Sequence, residues 1–170
     1  MIVLVTGATS GLGKAAAEIF AKNGHDVIIT GRRKDRLEQL AGELQKQHQV
    51  NVLCLSFDVR NLKETETAIQ SIPEAWKKID VLVNNAGLAV GLNPIQEGVI
   101  DDWERMIDTN IKGLLYMTRL VSPIMIKNGH GHIINIGSIA AKEAYANGNV
   151  YCATKHAVDA LNRGMRIDLL

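Results

Sequence analysis

The feature that most constrains this chain is an alternation. Short apolar runs at Ile2–Val5, Val27–Thr30, Val52–Phe57, Val81–Val83 and Ile133–Ile136 are separated by longer segments of helical period. The runs are apolar at consecutive rather than alternate positions, which predicts strands buried on both faces. Between them, segments such as Glu18–Ala21, Leu37–Ala41 and Thr67–Ile69 repeat apolar residues at three- and four-residue steps, with polar and charged residues between. That is the pattern of amphipathic helices. Strands covered on both faces need helices on both, so the expected fold class is α/β: a doubly wound parallel sheet in three α/β/α layers. Gly24, after Lys22-Asn23, predicts a helix stop before the second strand. Asp101–Lys127 predicts one long helix that Pro123 either kinks or brings to its last turns. A further helix is expected from about Asn149 onward, and it stops at Leu170 without a capping residue, as though cut within an element.

Composition narrows the function classes. With 170 residues, 46% of them hydrophobic, the chain fits one globular domain over residues 1–170. Nineteen basic against eighteen acidic side chains give a net charge of +1, so no global field favours nucleic acid or an anionic membrane. Any anion site must be local. Cys54 and Cys152 belong to no CxxC or Cys/His cluster, so neither a disulfide framework nor a metal site is expected. No leader precedes the first strand and no apolar run approaches the ~18 residues of a membrane span, which together predict a cytoplasmic protein.

Two turns and one helix carry the candidate chemistry. Thr6-Gly7-Ala8-Thr9-Ser10-Gly11-Leu12-Gly13 joins the first strand to the first helix. Glycines there permit a tight turn and close approach of a ligand, while the helix N-terminus offers free N–H groups and a favourable dipole to a pyrophosphate. Candidate contacts are Gly7, Thr9, Ser10, Gly11, Leu12 and Gly13; a strand-to-helix junction also uses glycines for geometry alone. An acid at the end of the second strand, roughly 20 residues after the glycines, would mark a free ribose hydroxyl. Here Thr30-Gly31-Arg32-Arg33 stands instead. Two guanidinium groups with no acid between them suit a 2′-phosphate, although arginines also simply begin helices.

Tyr151 and Lys155 lie one turn apart on the last helix. A free phenol titrates near pH 10, so a tyrosine that exchanges protons near neutrality needs a neighbouring positive charge, which Lys155 can supply. The same spacing fits a solvated surface pair. Ser138 follows the fifth strand at the carboxyl edge, where it can donate to a substrate carbonyl or act as an ordinary N-cap. Asn84-Asn85-Ala86-Gly87 forms a second small-residue turn at that edge.

Taken in order and spacing, Thr6-Gly7-x3-Gly11-x-Gly13, Asp58, Asn84-Asn85-Ala86-Gly87, Asn110, Ser138 and Tyr151-x3-Lys155 resemble the short-chain dehydrogenase/reductases. The resemblance covers Thr6 to Lys155 and implies a Rossmann-like fold. It implies Tyr151 as general acid/base, Lys155 on the nicotinamide ribose, Ser138 positioning the substrate carbonyl, and Asn110 organising a proton relay. Asp58 and Val59 would contact adenine, and Asn85, Ala86 and Gly87 would lie along the cofactor. Met106–Asn110, Gly131–Ser138 and Gly148–Tyr151 are similar in particular to the branch of NADP-dependent 3-hydroxy acid dehydrogenases, also described as serine or allo-threonine dehydrogenases and malonic semialdehyde reductases.

These likenesses imply an NADP(H)-dependent oxidoreductase of small hydroxy or oxo acids that works without a metal, as a homo-oligomeric dimer or tetramer. Alternatives are a reductase of 3-oxoacyl thioesters or other carbonyls, or an NADP-binding fragment without activity. Members of the family continue well beyond the point where this chain stops. The expectation is therefore a truncated sequence, with a domain incomplete at its C-terminal end, lacking the usual last strands and leaving the fifth strand as an apolar edge.

Overall fold

The computed structural model describes residues 1–170. Five strands, β1 (Ile2–Val5), β2 (Asp26–Gly31), β3 (Val52–Ser56), β4 (Ile79–Asn84) and β5 (His132–Asn135), alternate with helices α1 (Gly11–Lys22), α2 (Lys34–His48), α3 (Leu62–Gln70), α4 (Ile100–Ile107), α5 (Leu114–Asn128) and α6 (Asn149–Asp168). All neighbouring strands pair in parallel, in the order β3-β2-β1-β4-β5. This is the doubly wound parallel sheet that the alternation predicts and the Rossmann-like fold that the resemblance implies. Some strand limits move by a residue or two: β4 begins at Ile79, where it pairs with Ile2, and β5 ends at Asn135, opposite Asn84.

Successive side chains of a strand point to opposite faces, and the core divides accordingly. Val3, Val5, Val27 and Ile29 pack with Ala17 and Ala21 of α1 and Leu37, Leu40 and Leu44 of α2. Leu4, Ile28 and Leu82 pack on the other face with Ile69 of α3 and Met117, Val121 and Met125 of α5. The central strands β2, β1 and β4 are mostly apolar because both of their faces are interior, whereas the edge strands β3 and β5 are largely half-buried.

Helix ends follow local chemistry. After α1 the Gly24 N–H donates to the Ala21 carbonyl at 2.9 Å and the His25 N–H to the Phe20 carbonyl at 3.1 Å, with Gly24 at φ +76°. This paired closure of a helix C-terminus needs a left-handed residue, and the Phe20 and His25 rings meet over it at 6.2 Å. The expected long helix is also present, and Pro123 falls within its last turns. Its regularity is broken elsewhere, however: Asp108–Gly113 forms a π-helical turn between α4 and α5. No helix is long and apolar enough to cross a membrane.

Candidate active site

The chain winds outward from β1 through β2 to β3, then crosses back to β4 on the other side of β1. Loops leaving β1 and β4 therefore diverge, and a cleft opens above their carboxyl ends. It has a volume of about 470 Å³, and its wall comes from the segments after all five strands together with Tyr151 and Lys155 of α6.

The glycine turn forms the floor. Its start is fastened by the Thr6 N–H donating to the Val83 carbonyl at 3.0 Å and the Ala8 N–H donating to the Thr30 carbonyl at 2.9 Å. Gly11 has φ +56°, and a Cβ there would meet nothing within 4 Å, so this backbone faces open space. Gly13 has the opposite role: a Cβ would strike the Asn85 amide and the Gly7 carbonyl. Gly13 therefore serves packing and lies outside the cleft wall, whereas Gly7, Thr9, Ser10, Gly11 and Leu12 line it. The Ser10 side chain makes no capping bond to α1, whose first turn carries no acid. Uncapped N–H groups and an unopposed dipole make that end receptive to an anion.

The turn after β4 is tied to the glycine turn. Thr6 Oγ1 accepts from the N–H groups of Asn85 and Ala86 at 3.0 and 2.9 Å. In return, Asn85 Nδ2 donates to the carbonyls of Thr6 at 2.8 Å and Gly7 at 3.2 Å. Asn85, Ala86 and Gly87 also line the cleft.

At the β2 and β3 end stand Arg32, Arg33, Asp58 and Val59. Arg33 Nη2 donates to Thr9 Oγ1 at 2.7 Å, and Arg32 Nη1 lies 3.8 Å from Asp58 Oδ2. Burial opposes the charge on Asp58, but hydrogen bonds from the Arg60 side chain and backbone, with the charges of Arg60 and Arg32, outweigh it and hold the carboxyl below its usual range.

At the opposite end Lys155 is buried, with Nζ donating to the Ile136 carbonyl at 2.8 Å and standing 5.9 Å from the centre of the Tyr151 ring. Burial pushes its ammonium pKa down. Asn110 sits in the π-helical turn, buried, outside the cleft wall. Its Oδ1 accepts from the Leu88 N–H at 2.8 Å, and Nδ2 donates to the Leu88 carbonyl at 2.9 Å and to Thr154 Oγ1 at 3.0 Å. Thr154 Oγ1 in turn donates to the Tyr151 carbonyl at 2.8 Å. The extra residue of a π turn reorients the side chains around it, which is why such turns recur at functional sites. Ser138 is also outside the wall: its Oγ caps a short turn at Ile139–Ala141, accepting from the Ala140 N–H at 3.1 Å.

Thr109, Leu88 and Gly31 line the cleft as well, although the motifs did not single them out. Gly31 carried a readable signal, a glycine at a strand end just before two cations, and a Cβ there would press on Thr9 Cγ2 at 3.0 Å. No group of three or more His, Cys, Asp or Glu side chains gathers closely enough to hold a metal ion.

A glycine turn, a two-arginine edge and a Tyr–Lys helix thus converge on one cleft, in an order along the chain that a sequence model of the short chain dehydrogenases matches over residues 1–170. The chain belongs to the short chain dehydrogenase family. It is 54% identical over 169 residues to the NADP-dependent 3-hydroxy acid dehydrogenase YdfG of Salmonella typhi, covering 99% of this chain and 66% of that relative. The crystal structure of serine dehydrogenase from Escherichia coli superposes with a TM-score of 0.94 at 51% identity, over 99% of this chain and 76% of that one. A closed form of serine dehydrogenase complexed with NADP+ superposes with a TM-score of 0.93, also at 51% identity, over 99% of this chain and 66% of that one. This short chain dehydrogenase thus spans about 66% of the length of the curated relative.

Proposed function

We propose that this short chain dehydrogenase is an NADP(H)-dependent oxidoreductase that interconverts small 3-hydroxy acids and the corresponding 3-oxo acids. One observation carries the reading: a single cleft joins an open glycine turn, a pair of arginines and the Tyr151–Lys155 pair. The likeness to an NADP-dependent 3-hydroxy acid dehydrogenase and to a serine dehydrogenase that binds NADP+ supports it.

The residues present fit the cofactor. Open backbone at Gly11 and the uncapped start of α1 suit the pyrophosphate, and Arg32 and Arg33 suit a 2′-phosphate. Asp58 and Val59 would border the adenine, Asn85, Ala86 and Gly87 would lie along the dinucleotide, and Lys155 would hold the nicotinamide ribose. When bound, the nicotinamide supplies reversible hydride transfer at the carbinol carbon. Tyr151 donates its hydroxyl proton to the substrate oxygen in reduction and accepts it in oxidation. The Lys155 ammonium favours the phenolate through its charge. Because Ser138 Oγ is an acceptor toward Ala140, its own O–H proton remains available to donate to a substrate oxygen. Asn110 acts here through position, holding the Leu88 segment and α6 together. The same reading takes a small hydroxy or oxo acid as substrate, the cytoplasm as compartment, and a homo-oligomer built through α4–α5 and α6, where Ile100, Ile107 and Leu115 are exposed.

The test is NADP(H) oxidoreduction with L-serine, L-allo-threonine, 3-hydroxypropionate and a 3-oxoacyl thioester, using wild type and Tyr151→Phe, with NAD(H) in parallel. Turnover of the hydroxy acids that prefers NADP is expected, with kcat falling at least about 10²-fold in Tyr151→Phe while cofactor affinity is retained. Tight NADPH binding without any turnover would instead identify a cofactor-binding module, and turnover confined to the thioester would move the substrate class.

A further inference from the structure

Arg60 does not line the cleft, yet it engages a cleft residue more fully than any other side chain does. Its Nε donates to Asp58 Oδ1 at 3.1 Å and Oδ2 at 2.9 Å, its Nη2 donates to Oδ2 at 2.7 Å, and its backbone N–H donates to Oδ1 at 3.0 Å. A carboxylate offers about four acceptor positions, and three N–H groups of Arg60 make four contacts to it. Arg32 approaches the same Oδ2 only to 3.8 Å and is 62% exposed, against 31% for Arg60.

Resting on the NADP reading above, we propose that Arg60 is a positioning residue for cofactor selectivity: by occupying the Asp58 carboxylate, it leaves the Arg32 guanidinium free for a 2′-phosphate. The two arginines compete for one acid at the edge of the cleft. With Arg60 present, the acid is already hydrogen-bonded, and Arg32 holds only a loose, largely exposed ion pair with it at 3.8 Å. With Arg60 removed, the nearest cation to a desolvated carboxylate is Arg32, and a closed Arg32–Asp58 pair turns the guanidinium from the phosphate position. It also leaves an anion beside the place where a second anion must bind. A dinucleotide without the 2′-phosphate is indifferent to both effects. Asp58 is ionised near neutrality, since burial alone would oppose its charge but the hydrogen bonds and positive charge of Arg60 prevail. Arg60 is itself kept in place by the Asp58–Asn61 turn, closed by the Asn61 N–H on the Asp58 carbonyl at 2.9 Å.

The experiment titrates NADPH and NADH against wild type, Arg60→Gln, Asp58→Asn and the double variant, reading the ratio of the two dissociation constants. Arg60→Gln is expected to weaken NADPH about tenfold and NADH less than about twofold, the size of one charge-assisted contact. In the Asp58→Asn background the same change should leave the ratio within about twofold, because the competitor for Arg32 is gone. Arg60→Lys, which keeps charge but not the two-point contact, should fall between and serves if Arg60→Gln does not fold. Equal weakening of both cofactors, or a ratio lost just as fully when Asp58 is absent, would overturn the proposal. A wild type without preference for NADPH would instead sink the NADP reading beneath it.

Discussion

Thr30 is fully buried in β2; its carbonyl fastens the glycine turn, and its hydroxyl has no hydrogen-bond partner. An unpaired buried hydroxyl costs desolvation without return, and valine has nearly the same shape. Thr30→Val should therefore raise unfolding stability by about 1 kcal/mol in a denaturant melt, and a loss would show that the hydroxyl is paired. Tyr151 and Lys155 could be read from the sequence because one helical turn is a fixed separation, whatever surrounds it. Arg60 could not, since its partner is set by the loop after β3, and neither its type nor its neighbours announce the contact. Ser138 was legible as two possibilities, and its bond from the Ala140 N–H leaves both in force, one lone pair for the cap and one proton for a ligand.

At the scale of elements, the strands were legible because a strand between two helical layers has no polar face. Their ends were less so, because they depend on which neighbour continues the ladder. The stop after α1 was also visible, and it makes a sharp prediction. A Cβ at Gly24 would meet nothing within 4 Å, so Gly24→Ala carries only the conformational penalty of φ +76°. A loss of about 1 kcal/mol is expected, and an unchanged melting curve would mean that the helix end relaxes without it. The π-helical turn at Asp108–Gly113 escaped the sequence entirely. Asp108, Thr109, Asn110 and Gly113 are weak helix formers, which marks a weak stretch of helix but not a π turn, and a one-residue change of hydrogen-bond register leaves no mark in apolar periodicity over so short a span.

For the molecule as a whole, the end of the sheet away from the cleft is joined through Asp80. Its Oδ2 accepts from the Ile2 N–H at 2.6 Å, and Oδ1 lies 2.7 Å from His130 Nε2, linking β1, β4 and the approach to β5. Burial opposes the charge on Asp80, but these hydrogen bonds hold its carboxyl below the usual value of 3.8. A folded-state pKa below the unfolded one contributes stability that is complete above the unfolded value and is lost as pH falls through the folded value. Asp80→Asn should thus be less stable than wild type by about 1–3 kcal/mol near pH 7, with the gap narrowing as pH falls below the usual carboxyl value of 3.8. A gap that stays constant with pH would assign the effect to packing. At the other end of the sheet, the cleft takes one wall from the turn after β1 and another from α6, more than a hundred residues later in the chain. Whatever molecule fills it touches segments far apart in the sequence and fastens them together. Its supply in the cell then governs how long the chain resists a protease, as well as how fast any reaction runs.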